Sequence, residues 1–128
     1  MKVLLDTCTF LWLALDPDRL SPNARELFDD PATEPHLSMA SVLEITLKHR
    51  AGKLPLPLKP SEWIPSRRSF FQLTELPLTE SIIYRCGELP DIHQDPFDRL
   101  LAATAIEAGA TILSPDQQLG ALGASRIW

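Results

Sequence analysis

The chain has 128 residues, 45% of them apolar and 23% charged, with a net charge of −5 at pH 7. That length and balance describe one water-soluble domain able to bury its own core, which excludes fibrous, disordered and disulfide-stapled classes. The longest unbroken apolar run, Phe10–Leu15, has six residues, against the roughly 18 that a membrane span requires.

Lys2–Asp6 reads as a short buried strand, three aliphatics ending in a carboxylate. A charge so early would interrupt a secretory leader, so the expectation is a cytoplasmic protein. Phe10–Leu15 is apolar enough for a helix packed on that strand, stopped by Asp16-Pro17-Asp18. Ser21-Pro22 supplies a cap and a first-turn proline for a helix to about Asp30. His36–Ser38 is a second brief strand, and Ser41–Arg50 a helix closed by Gly52. Leu54–Pro60, with a proline at every second or third place, must be extended. Ser61 is expected to cap a helix to about Phe70, shortened by Pro65. Gln72–Leu76 is a strand candidate, followed by a helix over Thr79–Glu88. Asp95-Pro96 opens the strongest helix, running to Ala108 and closing at Gly109. Thr111–Leu113 and Arg126-Ile127 are the last strands. Short aliphatic strands alternating with helices predict an α/β domain over 1–128 with a mainly parallel sheet covered on both faces. The two cysteines, Cys8 and Cys86, belong to no CxxC pair and read as reduced thiols.

Charge is unevenly spread. From Lys48 to Arg68 there are six basic residues (Lys48, Arg50, Lys53, Lys59, Arg67, Arg68) and one acid, Glu62, leaving a net of −10 on the remainder. A solvated surface and a phosphate-binding flank explain this equally well.

In parallel α/β sheets, sites form beyond the carboxyl ends of the strands. Asp6 ends the first strand and Asp116 follows Thr111–Leu113, so both fall at one sheet edge. Glu44 and Asp98 lie in the early turns of two helices. Each acid has a plain structural use. Asp6 suits a helix cap, Asp98 a helix dipole and Asp116 a turn, while Glu44 could pair with Lys48 four residues on. Against that last use, Glu44 runs beside the small and apolar stripe Ala40, Leu43, Leu47 and Ala51, which places it near a buried face. The functional case rests on all four acids together.

Val3-Leu4-Leu5-Asp6-Thr7, Ser41-x-x-Glu44, His93-x-Asp95-Pro96-Phe97-Asp98-Arg99 and Leu113-Ser114-Pro115-Asp116 resemble, in order and spacing, the motifs of PIN-domain proteins. The third motif is the specific one. It resembles the VapC-type toxins of bacterial toxin–antitoxin pairs, in the subgroup whose helix opens Asp-Pro-Phe-Asp-Arg. Ser114 stands where that family usually has Thr, and keeps the hydroxyl. The resemblance implies a three-layer α/β/α fold and a Mg²⁺- or Mn²⁺-dependent endoribonuclease. It also implies a homodimer and a cognate antitoxin as inhibitor. By motif, Asp6, Glu44, Asp98 and Asp116 would hold the metal, with Asp6 and Asp98 the main ligands. Thr7 and Ser114 would stand behind the acids, and Asp95 would position Asp98 as its helix cap. Lys48, Arg50, Lys53, Arg67 and Arg68 would then guide RNA to an otherwise repulsive acidic site. His93 is given no catalytic role. Phe10–Leu13 is expected in the core and dimer interface, and Trp63 and Trp128 either buried or half-exposed beneath an antitoxin segment. An inactive PIN-like binding module is the alternative, although such modules usually lack a site acid. A haloacid-dehalogenase-like phosphatase is set aside because Cys8 stands where that chemistry needs a second Asp.

Overall fold

Three aliphatics in β1 (Lys2–Leu5) are wholly buried and alternate between the two faces of a sheet. The computed structural model describes residues 1–128. Its other strands are β2 (Glu34–Ser38), β3 (Thr74–Leu76), β4 (Thr111–Leu113) and β5 (Arg126–Ile127). They form one five-stranded sheet in the order β3-β2-β1-β4-β5, with every neighbouring pair parallel. The helices are α1 (Thr7–Leu15), α2 (Pro22–Asp29), α3 (Met39–Arg50), α4 (Pro60–Phe70), α5 (Glu80–Glu88), α6 (Pro96–Ala108) and α7 (Gln117–Ala121).

Val3 and Leu5 join Phe10, Leu13, Ala24, Ile45, Trp63 and Ile64 in one apolar layer, made with α1, α2, α3 and α4. On the opposite face, Leu4 and Ile112 pack with Leu101, Ala102 and Ala105 of α6 and Leu119 of α7. The result is the expected α/β/α sandwich. No helix is long and apolar enough to cross a membrane.

Several boundaries differ from the sequence reading. Helix α1 starts at Thr7, three residues before the apolar run, because Asp6 caps it through Thr7 N. Helix α3 starts at Met39, since Ser38 rather than Ser41 accepts from Ala40 N. Pro65 lies inside α4 instead of shortening it. The carbonyl deprived of a donor is that of exposed Ser61 in the first turn, where water can replace it. Strand β3 begins two residues after Gln72, whose φ of 54° breaks extension. Of the two expectations for Trp63 the structure has burial, at 4% exposure and with the ring 5.7 Å from Phe10. Trp128 is half-buried against Trp12.

Candidate active site

The strand order reverses direction between β1 and β4, and at such a switch the loops after adjacent strands part to leave a crevice. Asp6 and Asp116 flank it, following strands paired through Leu5 and Leu113. Helices α3 and α6 bring the other two acids. Asp6, Glu44, Asp98 and Asp116 line a single cleft of about 270 Å³, together with Asp95 and Lys48.

Each acid is held by short-range chemistry. Asp6 accepts from Thr7 N at 2.7 Å through Oδ1 and from the Ser114 hydroxyl at 2.5 Å through Oδ2. That hydroxyl also accepts from Asp116 N at 3.0 Å, so one oxygen links both strand-end acids. Thr7 Oγ1 donates to Ser41 Oγ at 2.9 Å, tying the start of α1 to α3. Asp116 caps α7 through Gln118 N, and Asp95 caps α6 through Phe97 N. Asp98 sits in the first turn of α6.

Glu44 is 7% exposed and paired with Lys48. The sequence presents burial and pairing as competing readings, whereas the structure has both. The route to that burial differs from the expected one. Helix α3 buries Ala40, Ser41, Glu44 and Ile45, while Leu43 and Leu47 of the expected stripe are each 44% exposed.

Two of the clustered carboxylates bind their protons more tightly than free acids do. Burial raises Asp6 above the usual carboxylate range, against the hydrogen bonds from Ser114, Cys8 and Thr7. Asp98 is pushed up to about 6, chiefly by burial and further by Asp95, Asp6 and Asp116, with the His93 bond opposing. Burial also pushes the Cys8 thiol up to about 12 beside Asp6, which leaves it protonated and no nucleophile.

His93 is the residue that sequence reasoning passes over. Its Nε2 lies 2.7 Å from Asp98 Oδ2, and ligating atoms of His93, Asp98 and Asp116 fall within 4.8 Å of one another. The hydrogen bond to Asp98 raises the imidazole above its ordinary value. Only a folded connector puts a residue five positions upstream beside Asp98, and no local periodicity encodes that.

The basic flank does not converge as a whole. Lys48 lines the cleft, but Arg67 lies over Phe70 at 4.8 Å and lines a separate groove with Pro57 and Leu58. Arg68 faces Glu75 at 3.7 Å in a larger groove of about 400 Å³ between α3 and α4. That groove's only ionisable lining is this pair, so it offers no catalytic constellation. Arg50 and Lys53 follow Lys48 at the end of α3 and just beyond it, both exposed, and line none of these three cavities.

Comparisons with known proteins agree with this architecture. Ribonuclease VapC22 of Mycobacterium tuberculosis (strain ATCC 25618 / H37Rv) is 28% identical over 118 residues, covering 91% of this chain and 88% of that one. Among solved structures, VapBC2 from Rickettsia felis bound to a DNA fragment from its promoter aligns with a TM-score of 0.69 at 18% identity, covering 99% and 98% of the two chains. DNA-bound VapBC from Salmonella typhimurium gives 0.69 at 18% identity over 100% and 97%. The sequence model described as PIN domain matches residues 3–124, and the chain belongs to that family.

Proposed function

We propose that the chain is a metal-dependent endoribonuclease of the VapC type, the toxin of a toxin–antitoxin pair, with residues 1–128 forming one PIN domain. The observation that carries this reading is the convergence of Asp6, Glu44, Asp98 and Asp116, from four separate elements, on one cleft. The similarity to a protein named a ribonuclease, and to toxins solved with their antitoxins, supports it. A cytoplasmic homodimer held in check by a cognate antitoxin is part of the same reading.

The donor set suits a hard divalent cation. Carboxylate oxygens are what Mg²⁺ and Mn²⁺ prefer, and burial with neighbouring acids raises Asp6 and Asp98, a cost that a bound cation would offset. Asp6, Asp98 and Asp116 would hold the ion, with Glu44 beside them. Bound there, such an ion supplies charge to lower the pKa of an attacking water and to neutralise the phosphoryl oxygens. The protein's own groups prepare the place. Ser114 fixes the spacing of Asp6 and Asp116, and Thr7 locks α1 to α3. Lys48 offsets Glu44 and presents a cation at the cleft for an RNA phosphate. Arg50, Lys53, Arg67 and Arg68 extend that attraction over the surface.

RNA cleavage with Mn²⁺, with chelator, and with Asp6→Asn tests the reading. Cleavage is expected only in the first case. Undiminished cutting by folded Asp6→Asn would refute the site, and silence of the wild type in Mn²⁺ would favour the inactive binding module.

A further inference from the structure

Arg99 follows Asp98 on α6, and all five of its guanidinium N–H groups are engaged. Nε and Nη2 donate to Cys86 O at 3.2 and 2.9 Å, and Nη2 also to Leu89 O at 2.9 Å. Nη1 donates to Pro90 O at 2.8 Å and His93 O at 3.0 Å. Cys86 and Leu89 belong to the C-terminal end of α5, where carbonyls lack helical donors and a cation is favoured. Arg99 has no carboxylate partner, and every donor goes to main-chain oxygen of α5 and the connector leading to α6.

Two consecutive side chains of α6 therefore grip one connector residue. Arg99 holds the main chain of His93, and Asp98 meets its ring at 2.7 Å. A connector with proline at one end and no strand pairing has little else to fix its path. With its backbone released, His93 would share its time among rotamers, and Asp98 would lose the donor that sets its carboxylate plane.

We propose that Arg99 is a positioning residue, which acts through His93 to fix the Asp98 carboxylate for metal binding. This rests on the metal-site reading of the four acids. Partners behind a ligating carboxylate typically change metal affinity or activity about 10- to 100-fold, and that is the effect expected here. Lysine cannot replace Arg99, because a compact ammonium with three donors cannot span four carbonyls held in a fork.

The test uses the full chain as wild type, Arg99→Lys, His93→Ala, His93→Gln and the Arg99→Lys/His93→Ala double variant. Mn²⁺ affinity is read by calorimetry, and kcat and KM on a cleavable RNA, with circular dichroism to confirm folding. Arg99→Lys and His93→Ala should each weaken Mn²⁺ binding about 10- to 100-fold and lower kcat with KM unchanged. The double variant should lose no more than His93→Ala alone, since both changes break one line of support. His93→Gln, which keeps an N–H donor, should recover part of the loss. Wild-type Mn²⁺ affinity in folded Arg99→Lys, or additive losses in the double variant, overturns the proposal. Should Arg99→Lys fail to fold, unchanged affinity in His93→Ala overturns it equally. A wild type that binds Mn²⁺ yet cuts no RNA refutes only the ribonuclease reading, and calorimetry still decides the role of Arg99. A wild type that binds no Mn²⁺ overturns both.

Discussion

Replacing Asp98 by Asn separates a crowded acidic site from scattered surface acids. Burial, with Asp95, Asp6 and Asp116 nearby, lifts the Asp98 carboxyl from the ordinary 3.8 to about 6. A rise of that size amounts to about 3 kcal/mol in full. The side chain still meets solvent at 18% exposure, so roughly half of that, about 1.5 kcal/mol, is the expected contribution after screening. The folded chain binds this proton more tightly than the unfolded one, so the contribution favours folding in acid. It is lost as pH rises from near 4 through about 6. Ionised Asp98 therefore weakens the metal-free fold at high pH, and Asn removes that cost while its Oδ1 still accepts from His93. At pH 8.5, well above the titration of Asp98, Asp98→Asn in chelator should melt about 6 °C above wild type, at roughly 4 °C per kcal/mol for this length. At pH 4 the two should differ little. Mn²⁺ at about 100 times its dissociation constant adds about 2.7 kcal/mol to the wild type, close to 10 °C, and much less to the variant. Differential scanning calorimetry measures both. If Asp98→Asn melts no higher than wild type in chelator, or gains as much from Mn²⁺, the reasoning fails.

Ser114→Ala leaves Asp6 Oδ2 and Asp116 N short of a partner, so urea unfolding should show a loss of about 1–3 kcal/mol and kcat should fall. Retained kcat would mean that the hydroxyl does not space the acids. Arg67→Ala with Arg68→Ala should flatten the log–log salt dependence of RNA binding by about 0.7 for each phosphate no longer neutralised, without altering the metal requirement. An unchanged slope would place the RNA path along Lys48 and the end of α3 alone. Leu113→Ala, at a position 1% exposed, should cost about 2–5 kcal/mol and carry Asp116 with it, so stability and cleavage should fall together in paired melting and activity measurements.

What the sequence discloses is whatever chemistry acts over three or four residues. Asp95-Pro96 and Gly109 bound α6 as expected, because a cap, a fixed φ and a left-handed closing residue are local facts, the last at φ 64°. Ser21-Pro22 and Thr79 mark helix starts for the same reason. Where tertiary packing outweighs propensity, the sequence misleads. Helix α7 escapes it, since five residues containing a glycine carry little helical signal and only Leu119, wholly buried, anchors it. The buried face of α3 escapes it because that side includes Ser41 and Glu44, polar residues that a hydrophobic stripe cannot reveal. His93 escapes it because its place beside Asp98 depends on the path of an irregular connector, whose His93 carbonyl accepts from Arg99, and no helical or strand period describes that path.

Capping and site chemistry look like rivals in the sequence, yet in the folded chain they are one arrangement. Asp6 and Asp116 are the N-caps of α1 and α7, and Asp98 lies in the first turn of α6 behind its own cap. Those caps settle which way each helix leaves its strand or connector, and so deliver three helix N-termini, and three carboxylates, to one crevice. The positive ends of the helices partly offset the negative charge gathered there. Glu44 is the exception. It sits in the interior of α3, where no helix terminus can help it, and it is the acid that Lys48 accompanies. Each carboxylate thus meets the cleft beside a source of positive potential. Burial raises Asp6 and Asp98 even so, and a divalent cation is the species whose charge would favour their ionised forms.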